Sequence, residues 1–469
     1  MPDVYRSLIL PDVRLMVAEE DRHGLTEFCR VLHPAVVADI LEELEAHEVW
    51  IILDNAEIRL RVEIFEYISL RRQAEMVAKL DKRRLSELLE EMSPDDRVDL
   101  LSRMPHNRVQ DLLPLIAQAE RNDIRRLLSY DKDSAGSIMT TEYASLPADL
   151  TAADALQQLR EQAPNSETIY YVYILSHSRR LEGLISLREL ILARTDAKLS
   201  DIMQQDVICM RVDEDREDVV QELARYNFIA MPIVDEENRL VGIVTHDDAL
   251  DVAQEEATED AYRQGAVEPL RDDYEDTPLL TILWKRGIWL LVLSLVALMT
   301  ALVAETYKEA TGDGGARAAE APPGLTPELI FLFIPLVMAS GGNAGSQSAT
   351  LFIRMFALQP ADAAVPGTEF HVERKLILRE LAIAALLGAT LGIMDFLVVW
   401  IWGKGTLRSA VVGCTVFLIV VLGTTAGTML PILFRRLKMD PAIMSNPLIA
   451  AIVDVMGVVI FYEVAMAML

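Results

Sequence analysis

The chain has 469 residues, 44 Lys and Arg against 72 Asp and Glu, a net charge of −28 and a mean hydropathy of +0.22, a combination that excludes a single soluble globular domain. Residues 285–469 carry 13 basic and 13 acidic side chains, so the whole excess lies in residues 1–284, with 31 basic and 59 acidic. An acidic half of that strength disfavours nucleic acid as a partner and favours cations, and three well-separated cysteines (Cys29, Cys209, Cys414) without CxxC spacing exclude a disulfide framework and a zinc ribbon.

The N-terminal stretch has no basic segment followed by an apolar run and a small-residue cleavage site, so no secretory signal is expected and the acidic half is placed in the cytoplasm. Residues 1–130 are predicted to form an α-helical solenoid or bundle. Val36, Val37, Ile40, Leu41 and Leu44 recur at helical spacing, and Ser93-Pro94-Asp95-Asp96 reads as a helix start, with Ser at the N-cap and Pro at the first helical position. The carboxylates of this segment, Glu63 and Asp95 among them, read first as a solvated face.

Residues 137–262 contain an internal repeat of about 60 residues. SIMTTEYASL at 137 pairs with DIMQQDVICM at 201, YYVYIL at 170 with AMPIVD at 230, and RLEGLISLRELI at 180 with RLVGIVTHDDAL at 239. Each copy predicts a short strand, a helix, two strands around a turn and a closing helix, divided here as 131–200 and 201–262. The pattern resembles a tandem CBS-domain pair. Thr245-His246-Asp247-Asp248 has the Thr-x-x-Asp form with which such modules bind a nucleotide ribose, whereas the first copy has Ser186-Leu187-Arg188-Glu189.

An acid-dense run follows, from 247 to 278. A chain so charged repels itself unless cations screen it. Val252, Ala257 and Ala261 fall at helical spacing, so a connecting helix is expected, assigned to 263–284, whose acids meet cations at a domain interface. Hydrated Mg²⁺ held by loose carboxylate clusters suits such a place.

Five membrane spans are expected in residues 285–469, at 287–304, 329–353, 381–402, 409–434 and 441–469. Nine basic residues flank them on one side (285, 286, 354, 374, 375, 379, 435, 436, 438) against four on the other (308, 317, 404, 408), which puts the N-terminal half inside and the C-terminus outside. Asp454, near the middle of the last span, costs at least ~2.5–3.5 kcal/mol in lipid unless it faces a wet cavity or a partner, and a cation pathway repays that cost. Asp395 and Glu463, near span ends, read as interfacial and solvated. Pro335 and the polar stretch 339–350 suggest an interrupted helix, with Gly341 and Gly345 as a close-packing alternative. Asn446, eight residues before Asp454, adds a second polar depth.

The order of helical domain, CBS pair, acidic connector and apolar spans resembles the MgtE family of magnesium channels and transporters, most specifically in GGNAGSQSATLFIR (341–354) and LPILFRRLKMDPAIMSNPLIAAIVDVMG (430–457). The resemblance implies Mg²⁺ influx through an inner-membrane homodimer, with a pore on the two-fold axis. It places pore metal contacts at Asp454, Asn343, Asn446 and the backbone near Ala450. It places regulatory Mg²⁺ ligands at Glu63, Asp95, the backbone of Gly136, Asp215, Glu217, Asp248, Asp251, Glu256 and Glu259, and nucleotide contacts, with ATP the candidate, at Tyr170, Arg188, Thr245 and Asp248. The family's common Tyr-Asp-Phe is Tyr226-Asn227-Phe228 here, an amide where the sensing cluster has a carboxylate. Two rival readings remain: a membrane-anchored nucleotide or cation sensor without transport, and an enzyme. The latter is disfavoured because the seven histidines are scattered and neither HExxH nor GxSxG occurs.

Overall fold

The computed structural model describes residues 2–78, 80–270, 277–311, 327–357, 369–437, 439–440 and 446–469. They form two compact units, residues 1–253 and 254–469.

The first unit opens with ten helices among the described residues: α1 Pro2–Ala18, α2 Arg22–Val31, α3 Pro34–Leu41, α4 Ala46–Leu53, α5 Ile58–Glu66, α6 Leu70–Ala78, α7 Lys82–Glu91, α8 Pro94–Arg103, α9 His106–Leu112 and α10 Gln118–Leu127. From α3 onward they step by 24 residues, with α3, α5, α7 and α9 starting at 34, 58, 82 and 106, and α4, α6, α8 and α10 at 46, 70, 94 and 118. Identical side-chain bonds recur at that step. Glu42, Glu66 and Glu90 accept from the backbone N–H of Ser69, Ser93 and Ala117 at 3.3, 3.0 and 3.2 Å, which satisfies the orphan donor at the start of each second helix. Gln73, Arg97 and Arg121 donate to the carbonyls of Ile68, Met92 and Ile116 at 2.8, 2.5 and 2.9 Å. This is a solenoid, with each helix pair burying its apolar face on the next along one core running from Val13 to Ile124. Ser93 does precede α8, but its hydroxyl donates to Asp96 Oδ2 at 2.9 Å and makes no backbone cap.

The repeat folds as two copies of one α/β unit. In the first, β1 (Tyr143–Leu146), α11 (Ala152–Gln162), β2 (Thr168–Leu175), β3 (Leu181–Ser186) and α12 (Leu187–Leu192) follow in order. After α13 (Leu199–Ile202), β4 (Met210–Arg211), α14 (Arg216–Tyr226), β5 (Ala230–Val234), β6 (Leu240–Thr245) and α15 (His246–Gln264) repeat it. Each sheet has its central strand parallel to the first and antiparallel to the third. The copies lock reciprocally: Leu181 N donates to Asn238 O and Leu240 N to Arg179 O, both at 3.0 Å. A Cβ on Gly183 would lie 2.6 Å from Met203 Sδ, and one on Gly242 2.6 Å from Met139 Sδ, so the glycine of each copy seats the methionine that opens the other. Asn227 closes α14 in the left-handed conformation (φ 54°), which an amide tolerates well at a helix C-terminus.

The acid-rich helix is α15, which crosses the unit boundary at 253. The segment 263–284 is not one connecting helix: α15 stops at Gln264, where Gly265 and the positive-φ Ala266 (56°) turn the chain, and the next helix starts only at Leu279. Residues 271–276 lie outside the described residues.

The second unit is a bundle of α16 (Leu279–Thr311), α17 (Pro327–Ala357), α18 (Glu369–Ile401), α19 (Thr406–Arg436) and α20 (Asn446–Met468). Among the described residues four helices are long and apolar enough to cross a membrane, at Leu279–Thr306, Leu376–Ile401, Thr406–Arg436 and Asn446–Met468. The fifth, α17, is not interrupted as its Pro and Gly content suggested. It runs helical through Pro335, and its glycines act as packing surface: a Cβ on Gly345 would lie 3.0 Å from Gly423 O, and one on Gly427 would collide with Gly345 O. Of the basic residues used for orientation, those at 317 and 438 lie outside the described residues, and those at 308, 374 and 375 have no described side chains.

Candidate functional site

Two carboxylate sites stand out, one in each unit. In the first, α8 of the solenoid packs on the α/β module, with Val98 inside a cluster that includes Leu127, Met139, Val219, Leu223 and Val244. That packing brings the Asp95-Asp96 pair at the start of α8 to the Asp247-Asp248 pair at the start of α15. Asp95 Oδ1 is buried with no hydrogen-bond partner, and the pKa of Asp95 is raised well above the ordinary range by burial first and then by Asp248, Asp96 and Glu167. Asp248 is held by a hydrogen bond from Thr245 Oγ1, yet burial and Asp247 still push it up to about 6. Asp96 and Asp251 are raised by burial and by Asp247, and Glu66 is pushed up to about 8 by burial and Asp96. Like charges this close and this dry are stable only when protons or cations neutralise them.

The remaining regulatory candidates fall elsewhere. Gly136 donates its N–H to Val212 O at 3.0 Å, and Ser134 bridges Asp215, so the Gly136 backbone and Asp215 adjoin at the base of α14. Asp215 accepts from Glu217 N at 2.8 Å, and Glu217 accepts from Gln221 at 3.1 Å. Glu63 is exposed on α5. Glu256 and Glu259 belong to the second unit, where Glu259 pairs with Arg263 and Arg263 with Asp440. Among the described residues no three His, Cys, Asp or Glu side chains converge closely enough to hold a metal by themselves. Of the nucleotide candidates, Thr245 is tied to Asp248 at the acidic contact and Tyr170 and Arg188 are exposed; a cleft between the two copies is lined by Tyr171, Leu184, Gln204, Val207, Ile208 and Phe228.

In the second unit the polar stretch of α17 faces the start of α20 in antiparallel register. Gly342, Ser346 and Thr350, at successive turns, oppose Asp454, Ala450 and Asn446. A Cβ on Gly342 would lie 3.3 Å from Ala450 Cβ and 3.8 Å from Asp454 Oδ1, so the bare glycine lies close beside the carboxylate. Ser346 Oγ donates to Asn446 O at 3.2 Å, and Asn446 exchanges hydrogen bonds with Thr350 Oγ1 at 3.1 and 3.3 Å. Asn343 is exposed on α17, off this contact. Asp395, expected to be solvated at a span end, is instead 6% exposed on the α18 face that packs inward with Val399; Glu463 is exposed.

Sequence reading missed Glu66, Asp96, Asp247 and Glu167 as members of the acidic contact, though two Asp-Asp pairs stood in the sequence. It also missed Glu380, which accepts from the buried Ser348 at 3.4 Å.

An acidic α-helical and α/β half joined to long apolar helices, one carrying a carboxylate at mid-length, defines a multi-pass membrane protein of the ion-handling class. Family models match a divalent cation transporter domain, MgtE, at 334–464, an MgtE intracellular N domain at 32–133, and CBS domains at 135–196 and 199–255. The chain is 35% identical over 457 residues to the magnesium transporter MgtE of Thermus thermophilus, covering 96% of both chains, and 32% identical over 346 residues to that of Enterococcus faecalis, covering 74% of this chain and 71% of the other. A crystal structure of the soluble part of a magnesium transporter is 31% identical, with a TM-score of 0.51, and covers 54% of this chain and 99% of that one. The chain belongs to the MgtE family.

Proposed function

We propose that this protein carries Mg²⁺ into the cell through a pore built by its membrane half. The observation that carries the reading is Asp454, set opposite Gly342, with Asn446 two turns along α20 bonded to Thr350 two turns along α17. Two such carboxylates in a homodimer hold a Mg²⁺ ion with much of its hydration shell, since Mg²⁺ dehydrates reluctantly. Asn343 and the Ala450 backbone extend the path. Relatives named as magnesium transporters support the choice of ion, and the family is named for transport and not for catalysis. All five helices span the membrane in this reading, with the acidic half inside and the C-terminus outside.

The acidic half supplies negative feedback. At high cytosolic Mg²⁺ the ion bridges Asp95 and Asp248, with Glu63, Asp215, Glu217, the Gly136 backbone, Asp251, Glu256 and Glu259 as further ligands, and a compact closed state is favoured. At low Mg²⁺ repulsion among the same groups opens the contact, and α15 carries the change toward the bundle. ATP tuning through Tyr170, Arg188, Thr245 and Asp248 is the finer part of the proposal.

Mg²⁺ influx into liposomes carrying wild type or Asp454→Ala, both checked for monodispersity in detergent, tests it. Conduction by wild type and loss in the variant is the expected result. Equal conduction removes Asp454 from the ion path, and no conduction by either favours the anchored-sensor alternative.

A further inference from the structure

In the solenoid the residue that donates to the carbonyl five positions back is Gln73 in one repeat and Arg97 and Arg121 in the next two, bonding Ile68 O, Met92 O and Ile116 O respectively. A neutral amide therefore suffices for the repeat, and the positive charge of Arg97 is surplus to it. Yet Arg97 is 3% exposed, and its Nε is buried with no hydrogen-bond partner. A guanidinium desolvated to that degree is costly unless carboxylates surround it. Burial weighs most and lowers its pKa, opposed by attraction to Glu142 of the α/β module, Glu120 and Asp123 of α10 and Asp95 of its own helix, and Glu120 Oε2 is itself buried without a partner. Val98, the next residue, is buried among side chains of the module. Arg97 thus sits where solenoid and module meet, one fixed cation against four carboxylates.

We propose that Arg97 is a resident counter-cation that sets how much divalent cation the contact between solenoid and α/β module needs in order to close. The inference rests on the cation-sensing reading of Asp95 and Asp248. With the arginine in place the contact is partly neutralised before any Mg²⁺ arrives. Without it the four carboxylates repel unopposed, and Mg²⁺ must make up the missing charge.

The test is the Mg²⁺ concentration at half-protection of the full-length protein in detergent against chymotrypsin, whose cleavage sites the substitutions do not touch. Arg97→Gln, which keeps the donor that Gln73 provides one repeat earlier, is expected to raise that midpoint about threefold to tenfold, equivalent to roughly 0.7–1.4 kcal/mol at ~1.4 kcal/mol per decade. Arg97→Lys is expected to stay within about twofold of wild type. Adding Glu142→Gln to Arg97→Gln is expected to bring the midpoint back toward wild type, because Glu142 then faces only acids. A wild type that Mg²⁺ does not protect defeats the sensing reading itself. A protected wild type with an unshifted Arg97→Gln defeats the present inference alone. So does an Arg97→Gln protein that stays unfolded in excess Mg²⁺, since the ion should then replace the lost charge.

Discussion

Asp248→Asn separates the electrostatic account of the acidic contact from a purely structural one. The substitution keeps an acceptor for the Thr245 hydroxyl and removes one negative charge opposite Asp95. Asp248 rises from 3.8 to about 6 on folding. At ~1.36 kcal/mol per pKa unit the ceiling is about 3 kcal/mol, and partial solvent screening of this incompletely buried side chain brings it nearer ~1 kcal/mol. The sign follows from proton linkage: a carboxyl whose pKa is raised in the folded state binds more protons there, so stability falls as pH climbs from about 4 to about 6 and stays low above. Asn removes that slope. In urea titrations of residues 1–266, a stretch comparable to the soluble part of a magnesium transporter crystallised by itself, the variant should therefore be more stable than wild type by ~1 kcal/mol at pH 7.5 without divalent cation. It should also gain less from added Mg²⁺, because ligand-linked stabilisation scales with affinity. A variant less stable than wild type at pH 7.5, with an unchanged slope between pH 4 and 6, refutes the reasoning.

Glu66, pushed up to about 8, extends the same loss of stability to higher pH, so Glu66→Gln should flatten the wild-type curve between about pH 5 and 8 in the same titration. Asn227→Asp should leave the melting temperature unchanged while raising the Mg²⁺ response, whereas Asn227→Val, β-branched at φ 54°, should cost about 1–3 kcal/mol in urea unfolding. Gly427→Val forces a side chain onto the Gly345 carbonyl and should cost about 3 kcal/mol or prevent assembly, read as loss of a monodisperse peak in detergent. Asn446→Ala loses the bonds to Thr350, roughly 0.5–1.5 kcal/mol each, and should lower Mg²⁺ flux several-fold with little change in folding; Thr350→Val should match it.

Much of this protein was written locally. The split into an acidic and an apolar half, the α/β repeat and the isolated Asp454 follow from composition, period and the cost of charge in lipid, all properties of short stretches of chain. A second period was equally legible and was overlooked: the 24-residue step of the solenoid, visible in Glu42, Glu66 and Glu90, decides solenoid over bundle. Other outcomes depended on distant partners. How closely α17 packs turned on Gly423 and Gly427 some 80 residues later, whose bare backbones let the helices meet. Asp395 looked interfacial by its distance from a span end, yet the face it occupies is set by packing with α19. Most of all, Asp95 read by its residue type as a solvated acid and Asp248 as the end of a ribose-binding Thr-x-x-Asp, with nothing in either stretch to bring the two together. Only the docking of α8 on the module, some 150 residues away in the chain, removes water from between them and turns two ordinary carboxylates into a buried like-charge contact. Spacing along the chain fixes which side chains share a helix face; desolvation and Coulomb energy depend on separation in space, which only the tertiary structure supplies.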